Sequence, residues 1–221
     1  MQEIELLKLM LEHQDQLNSQ IHPNWREQNF PWHRAIWMEC AELMDCFPWK
    51  WWADTEREVD WDNVKIELAD IWHFILSWII EEYQDLIPTL MHRFDVAYNC
   101  WNTNFPHDLI ILDESQSVIE VLTGYAIRKQ FLLLWEEFAS LCSLCEISFK
   151  DLARIYFGKN VLNRFRQEHG LKEGRYSRLW NGVEDNKVTL RLIEDLEVLP
   201  LEHFEVELTR RLEAEYEASV S

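Results

Sequence analysis

At 221 residues, 48% apolar and 13% aromatic, the chain has enough hydrophobic material for a packed core, which excludes a disordered protein. Five glycines and six prolines, with apolar residues recurring at helical spacing, exclude a β-rich design and predict an all-α fold with short connections. A formal charge of −19 excludes the basic surface that sequence-independent nucleic-acid binding needs.

Residues 3 to 19 place Ile4, Leu7, Met10, Leu11 and Leu17 on one stripe, with Gln14 and Asn18 a turn apart near its end, and predict a helix. Pro23, Pro31 and polar neighbours predict a loop over 21–32. A second helix over 33–47 is stopped by Pro48, and the aromatic Trp49-Lys-Trp-Trp52 with the polar run to Asp60 reads as a connection. A third, strongly apolar helix spans 62–83, capped by Asp60 or Asp62. A fourth over 85–101 must start or kink at Pro88.

Residues 103–112 read as a loop, and 115–144 as one or two helices around Gly124. Ser148 with Asp151 makes a Ser-x-x-Asp helix start, and that helix ends at Gly170. The stretch to Asn186 reads as loop, and two acidic helices separated by Pro200 follow. No repeat, low-complexity tract or linker intervenes, so one domain over 1–221 is expected.

The longest apolar run, 71–80, contains His73 and is too short to span a membrane, and the first residues lack the basic-then-apolar order of a signal peptide. A cytoplasmic protein is expected. Cys40, Cys46, Cys100, Cys142 and Cys145 are odd in number and irregular in spacing, which suits reduced thiols, and Cys142-x-x-Cys145 reads as helix packing. Charge is uneven: from Lys150 to Arg178 eight Lys/Arg face three acids, a local balance of +5. Four of the five glycines lie in or just beyond this island. Such a stretch suits an anion site with close approach of ligand to backbone; a basic face balancing an acidic one is the plainer alternative.

Two acid pairs stand out, Glu39-x-x-Glu42 and Glu67-x-x-Asp70, each in a predicted helix. A spacing of three puts both members on one face, and each pair borders an apolar stripe, so two packed helices can bring four carboxylates to one point. Uncompensated carboxylates beside a core repel one another and lose hydration, and a divalent cation relieves both. All-oxygen ligation suits Mg²⁺, which is normally held by a few carboxylates together with substrate phosphates. His73, one turn after Asp70, admits a carboxylate-bridged di-iron reading, but such bundles place Glu-x-x-His on two helices and the first pair here has no histidine. His73 is then either a residue near the ligand or a satisfied core histidine.

The segments Trp32-His-Arg-Ala-Ile-Trp-Met-Glu39-Cys-Ala-Glu42, Val64-Lys-Ile-Glu67-Leu-Ala-Asp70-Ile-Trp-His73 and Gly158 to Asn186 resemble, in order, the motifs of the all-α dimeric dUTPases. The resemblance omits only about 85–147. It implies an all-α fold, a homodimer, Mg²⁺ held by Glu39, Glu42, Glu67 and Asp70, base recognition by Gln14, Asn18, Trp51, His73 and Asn163, and phosphate contacts from Lys159, Arg166, Tyr176, Arg178 and Asn186. It departs from the family at Leu171, where an aromatic is usual, and at Arg178, where Lys is expected; the second keeps the charge and changes its geometry.

The implied activity is hydrolysis of dUTP, and of dUDP, to dUMP by water attack at the α-phosphorus with help from Glu39. A triphosphate brings about four negative charges to a carboxylate site, so metal and a basic loop must share them. Trp51 is expected to stack on the base, with Trp49 and Trp52 as core aromatics. A related pyrophosphohydrolase preferring another base, such as dCTP, and a non-enzymatic helical interaction protein are the alternatives.

Overall fold

The computed structural model describes residues 3–53, 56–102 and 111–220. Among them are nine α-helices and one short hairpin, an all-α architecture. Helix α1 (Glu3–Ile21) buries Leu7, Met10, Leu11, Gln14, Leu17 and Asn18 along the stripe that its spacing predicts. After a single turn at Trp25–Glu27, α2 covers Trp32–Asp45 and α3 covers Trp61–Trp78. The Asp60 carboxylate accepts from the Asn63 backbone N–H and caps α3.

The third helix does not run unchanged to Tyr83. It widens into a π-turn at Ile79–Tyr83 and tightens at Gln84–Leu86 before α4 (Ile87–Asn102), which carries Pro88 in its first turn, where a missing N–H costs nothing. The loop expected over 103–112 falls outside the described residues at 103–110, and 111–112 are already helical. Between α5 (Ile111–Ile127) and α6 (Phe131–Leu144) the break comes at Lys129, with φ 57°, and not at Gly124, which stays inside α5. Three chain bonds close the end of α5, among them Gln130 N–H to the Tyr125 carbonyl at 2.9 Å.

Helix α7 (Phe149–Glu168) is fixed at both ends. Ser148 and Asp151 form the reciprocal capping box that the Ser-x-x-Asp pattern predicts. At the far end Gly170, with φ 85°, sends its N–H to the Gln167 carbonyl at 3.2 Å while Leu171 N–H reaches the Arg166 carbonyl at 2.9 Å, a Schellman ending. The following loop contains a hairpin: Leu179 pairs with Glu184 and Trp180 with Val183. Asn181 and Gly182 at the turn have φ of 51° and 82°, the left-handed pair that a type I′ turn requires. Asp185 then opens α8 (Asp185–Asp195), and α9 (Leu201–Val220) follows Pro200.

Helix α3 lies between α2 and α7, α1 packs on α3 and α7, and α4 packs on α6. Trp72 of α3 stacks on Phe138 at 5.4 Å and meets Trp135, Phe94 and Phe149. Burial of each such side chain contributes roughly 1.5–3 kcal/mol. This core leaves the Glu67/Asp70 edge of α3 facing α2 and α7. Cys40, Cys46, Cys142 and Cys145 are buried free thiols, in keeping with helix packing for Cys142-x-x-Cys145. No described helix is long and apolar enough to cross a membrane.

Candidate active site

Glu39 from α2 and Glu67 and Asp70 from α3 each place a carboxylate oxygen within 4.8 Å of the other two. All three are partly buried. Burial raises the Glu39 carboxyl to about 7, and the charges of Asp70 and Glu42 add to the effect. Burial, then Asp70 and Glu39, raise Glu67 further, to about 8. Both glutamates therefore keep their protons to higher pH than ordinary carboxylic acids. Glu42 is exposed and stands outside this trio, so the structure brings together three of the four acids that the spacing suggested.

Facing the acids is a cationic network from α7 and α8. The Lys159 ammonium, only 3% exposed, lies 2.9 Å from Asp70 and donates to Asn186 Oδ1 at 2.9 Å. Its charge opposes the upward shift of both glutamates. Arg166 donates through Nε and Nη2 to Asp185 at 2.9 and 2.8 Å, through Nη2 to Asn186 at 2.9 Å and through Nη1 to Asn163 at 3.0 Å. Four of its five N–H groups are therefore engaged, and one on Nη1 remains.

Tyr176 donates its hydroxyl to the same Asp185 at 2.7 Å. Burial pushes the Asp185 carboxyl upward, but the bonds and charge of Arg166 together with the Tyr176 hydroxyl outweigh it and hold the group below the usual range. Asp185 ties α7, the loop and α8 together, and sequence reasoning gave it no role. Its signal was available: it stands beside Asn186, at the end of the segment from Gly158 to Asn186. Gly158, by contrast, faces Ile193 of α8 and Leu208 of α9. A Cβ there would sit 2.2 Å from Ile193 Cδ1, so this glycine sets the approach of α7 and α8.

A second polar group lies between α1, α3 and α7. Gln14 donates to Asn18 at 2.9 Å and Asn18 to Ser77 at 2.9 Å, while the single Tyr156 hydroxyl proton lies between the Met10 carbonyl at 2.9 Å and Gln14 Oε1 at 3.2 Å. His73, 5% exposed, holds its Nδ1 proton against the Ala69 carbonyl at 2.7 Å. Nε2 is consequently a bare acceptor, buried and without a partner among the described residues. Burial lowers this imidazole to about 4, so it is neutral at physiological pH.

The remaining expected residues lie at the surface. Trp51 is 81% exposed, and Trp49 and Trp52, which the sequence suggested as core, are exposed as well, gathered in edge-on contacts with one another. The short connection after Pro48 gives these rings no helix face to pack against. Arg178 is exposed, and its guanidinium has no ion-pair partner among the described residues. A separate cleft of about 630 Å³ lined by Trp61, Lys65, Cys145, Arg154, Ile193 and Glu194 contains none of these residues. Acids at one point, cations beside them and a buried cluster of neutral polar side chains a turn away are the parts that an anionic, base-bearing ligand calls for.

The family model described as dUTPase matches residues 6–171, a span that holds both acid pairs, Gln14, Asn18, His73 and the cationic face of α7. No curated protein matches the chain.

Proposed function

Because the chain belongs to the dUTPase family, we propose that it hydrolyses dUTP, and dUDP, to dUMP, with pyrophosphate or phosphate as the other product. The observation that carries this reading is the convergence of Glu39, Glu67 and Asp70 opposite Lys159. Three carboxylate oxygens at one point, two of them on glutamates whose acids are raised by burial and then by neighbouring carboxylates, fit a hard divalent cation. Glu39, Glu67 and Asp70, with Glu42 as the fourth acid, would hold Mg²⁺. When bound, that ion neutralises phosphate charge and lowers the pKa of a water.

The chain's own groups supply the rest. Glu39 takes the proton of the water that attacks the α-phosphorus. Lys159, Arg178, Asn186 and the free N–H of Arg166 receive the phosphates, with Arg166 held by Asp185, to which Tyr176 gives its only proton, so that the remaining Arg166 donor is fixed in direction. Gln14, Asn18, His73 and Asn163 contact the base, and the exposed Trp51 covers it by stacking. The family resemblance also supports a cytoplasmic homodimer in which residues 1–221 act as one domain.

The test is magnesium-dependent pyrophosphate release from dUTP, dCTP and dTTP. Turnover of dUTP well above the other two is expected. Equal rates overturn the base assignment, and no magnesium-dependent release from any of them overturns the enzyme assignment.

A further inference from the structure

Tyr216, near the end of α9, closes a group of aromatic side chains over the loop that joins α7 to α8. Its ring lies 5.4 Å from that of Tyr176 with 22° between the planes, and it meets Trp180 at 5.4 Å, Phe165 at 5.5 Å and His169 at 5.0 Å. Phe165 and His169 stand at the end of α7, where they stack on each other at 3.8 Å. Tyr176 and Trp180 belong to the loop and are 8% and 2% exposed, whereas Arg175, Ser177, Arg178 and Leu179 around them are exposed. The loop is thus held inward by two rings, and Tyr216 touches both.

Tyr176 carries more than its ring. Its hydroxyl donates to Asp185 at 2.7 Å, and Asp185 accepts from Arg166 Nε and Nη2 at 2.9 and 2.8 Å. The Asp185 N–H also reaches the Arg178 carbonyl at 2.9 Å, so the backbone that carries Arg178 is joined to the same carboxylate residue. We infer that Tyr216 is a positioning residue for phosphate binding: by holding the Tyr176 and Trp180 rings it keeps the loop folded onto Asp185 and the free N–H of Arg166 aimed at the ligand. This rests on the reading of Arg166 and Arg178 as phosphate contacts. Gly170 and Gly174, with φ of 85° and 70°, leave the backbone between them many conformations once the rings are released. The phosphates must then order the loop themselves, and binding is weakened by the cost of that ordering. The base contacts lie between α1, α3 and α7 and do not touch Tyr216, so only phosphate-bearing ligands should be affected. The helix that supplies this ring lies beyond residues 6–171, the span shared with the dUTPase family.

The experiment compares full-length Tyr216→Ala, Tyr216→Leu and Tyr216→Phe with the wild type. It reads magnesium-dependent kinetics of dUMP formation from dUTP, inhibition by pyrophosphate and by deoxyuridine, and the rate of tryptic cutting after Lys172, Arg175 and Arg178. Tyr216→Ala is expected to raise KM for dUTP and the inhibition constant of pyrophosphate about tenfold, to leave that of deoxyuridine within about twofold, and to speed the cutting. Tyr216→Phe keeps the ring and should match the wild type throughout. Where Tyr216→Ala does not fold, Tyr216→Leu, bulky but without a flat ring, carries the same expectation. Unchanged constants for dUTP and pyrophosphate, an equal loss for deoxyuridine, or the same losses in Tyr216→Phe overturn the inference. A wild type that does not hydrolyse dUTP overturns the functional reading itself, and shows this before any variant is compared.

Discussion

Glu39 shows how a single side chain is tuned by where its helix puts it. Partial burial on α2, beside Asp70 and within the field of Glu42, raises its carboxyl to about 7 in the metal-free chain, and a bound divalent cation would favour the ionised form that a base needs. Glu39→Gln removes the base and one negative charge while keeping shape. Its kcat/KM with dUTP is expected to fall by about 10²–10⁴-fold. Its thermal midpoint without metal is expected to stay level or rise, because a like charge has left a repelling group. Steady-state kinetics and a melting curve on the same preparation check both halves, and substantial remaining activity refutes the role. Glu42, three residues on, is exposed and tests the geometry from the other side, since only its charge reaches the trio in the observed arrangement.

At the scale of elements, α7 is the part on which the site depends. It presents Lys159, Asn163 and Arg166 at spacings of four and three, one face in register with the acids of α3, and α8 must come close enough for Asp185 and Asn186 to reach them. Gly158 permits that approach. Gly158→Ala places a methyl against Ile193 Cδ1 and Cγ1, at 2.2 and 2.6 Å before any shift. Overpacking of this kind costs about 1–3 kcal/mol and helix propensity returns up to about 1, so urea unfolding should show a net loss of about 1–2 kcal/mol. A variant as stable as the wild type would mean that α8 moves freely on α7.

Much of this was legible in the chain. The stripe of α1, the Ser148 capping box, the Gly170 ending and the convergence of Glu39, Glu67 and Asp70 all follow from spacing and local hydrogen bonding, which act over a few residues. What was not legible depends on packing between distant segments. Gly158 looked like a ligand-facing glycine because only α8 reveals its neighbour. The Asp185 pair with Arg166 joins residues nineteen apart in sequence across a loop. The Asn181-Gly182 hairpin was a local signal that the loop reading passed over, and Trp49 and Trp52 read as core because a sequence shows their size without showing that no face is left for them.

For the whole molecule the governing fact is negative charge, −19 in total, with raised carboxyls near the core. Unfolded, Glu39 and Glu67 titrate near 4.5, whereas folded they titrate at about 7 and about 8. Between those values the folded state holds more protons than the unfolded one, so stability falls as pH rises through the window. His73, lowered to about 4 from 6.5, acts in the opposite sense, but only below its unfolded value. From about pH 6.5 to about pH 8.5 the carboxyls therefore dominate among these groups, and in EDTA the thermal midpoint is expected to drop by on the order of 5 °C. A bound divalent ion takes the place of the protons, so Mg²⁺ should raise the midpoint more at the alkaline end than at the acid end. Melting curves in EDTA and in Mg²⁺ at both pH values measure this. A midpoint indifferent to pH in EDTA, or a magnesium effect of equal size at the two ends, would show that the three acids are not the groups on which folding and metal compete.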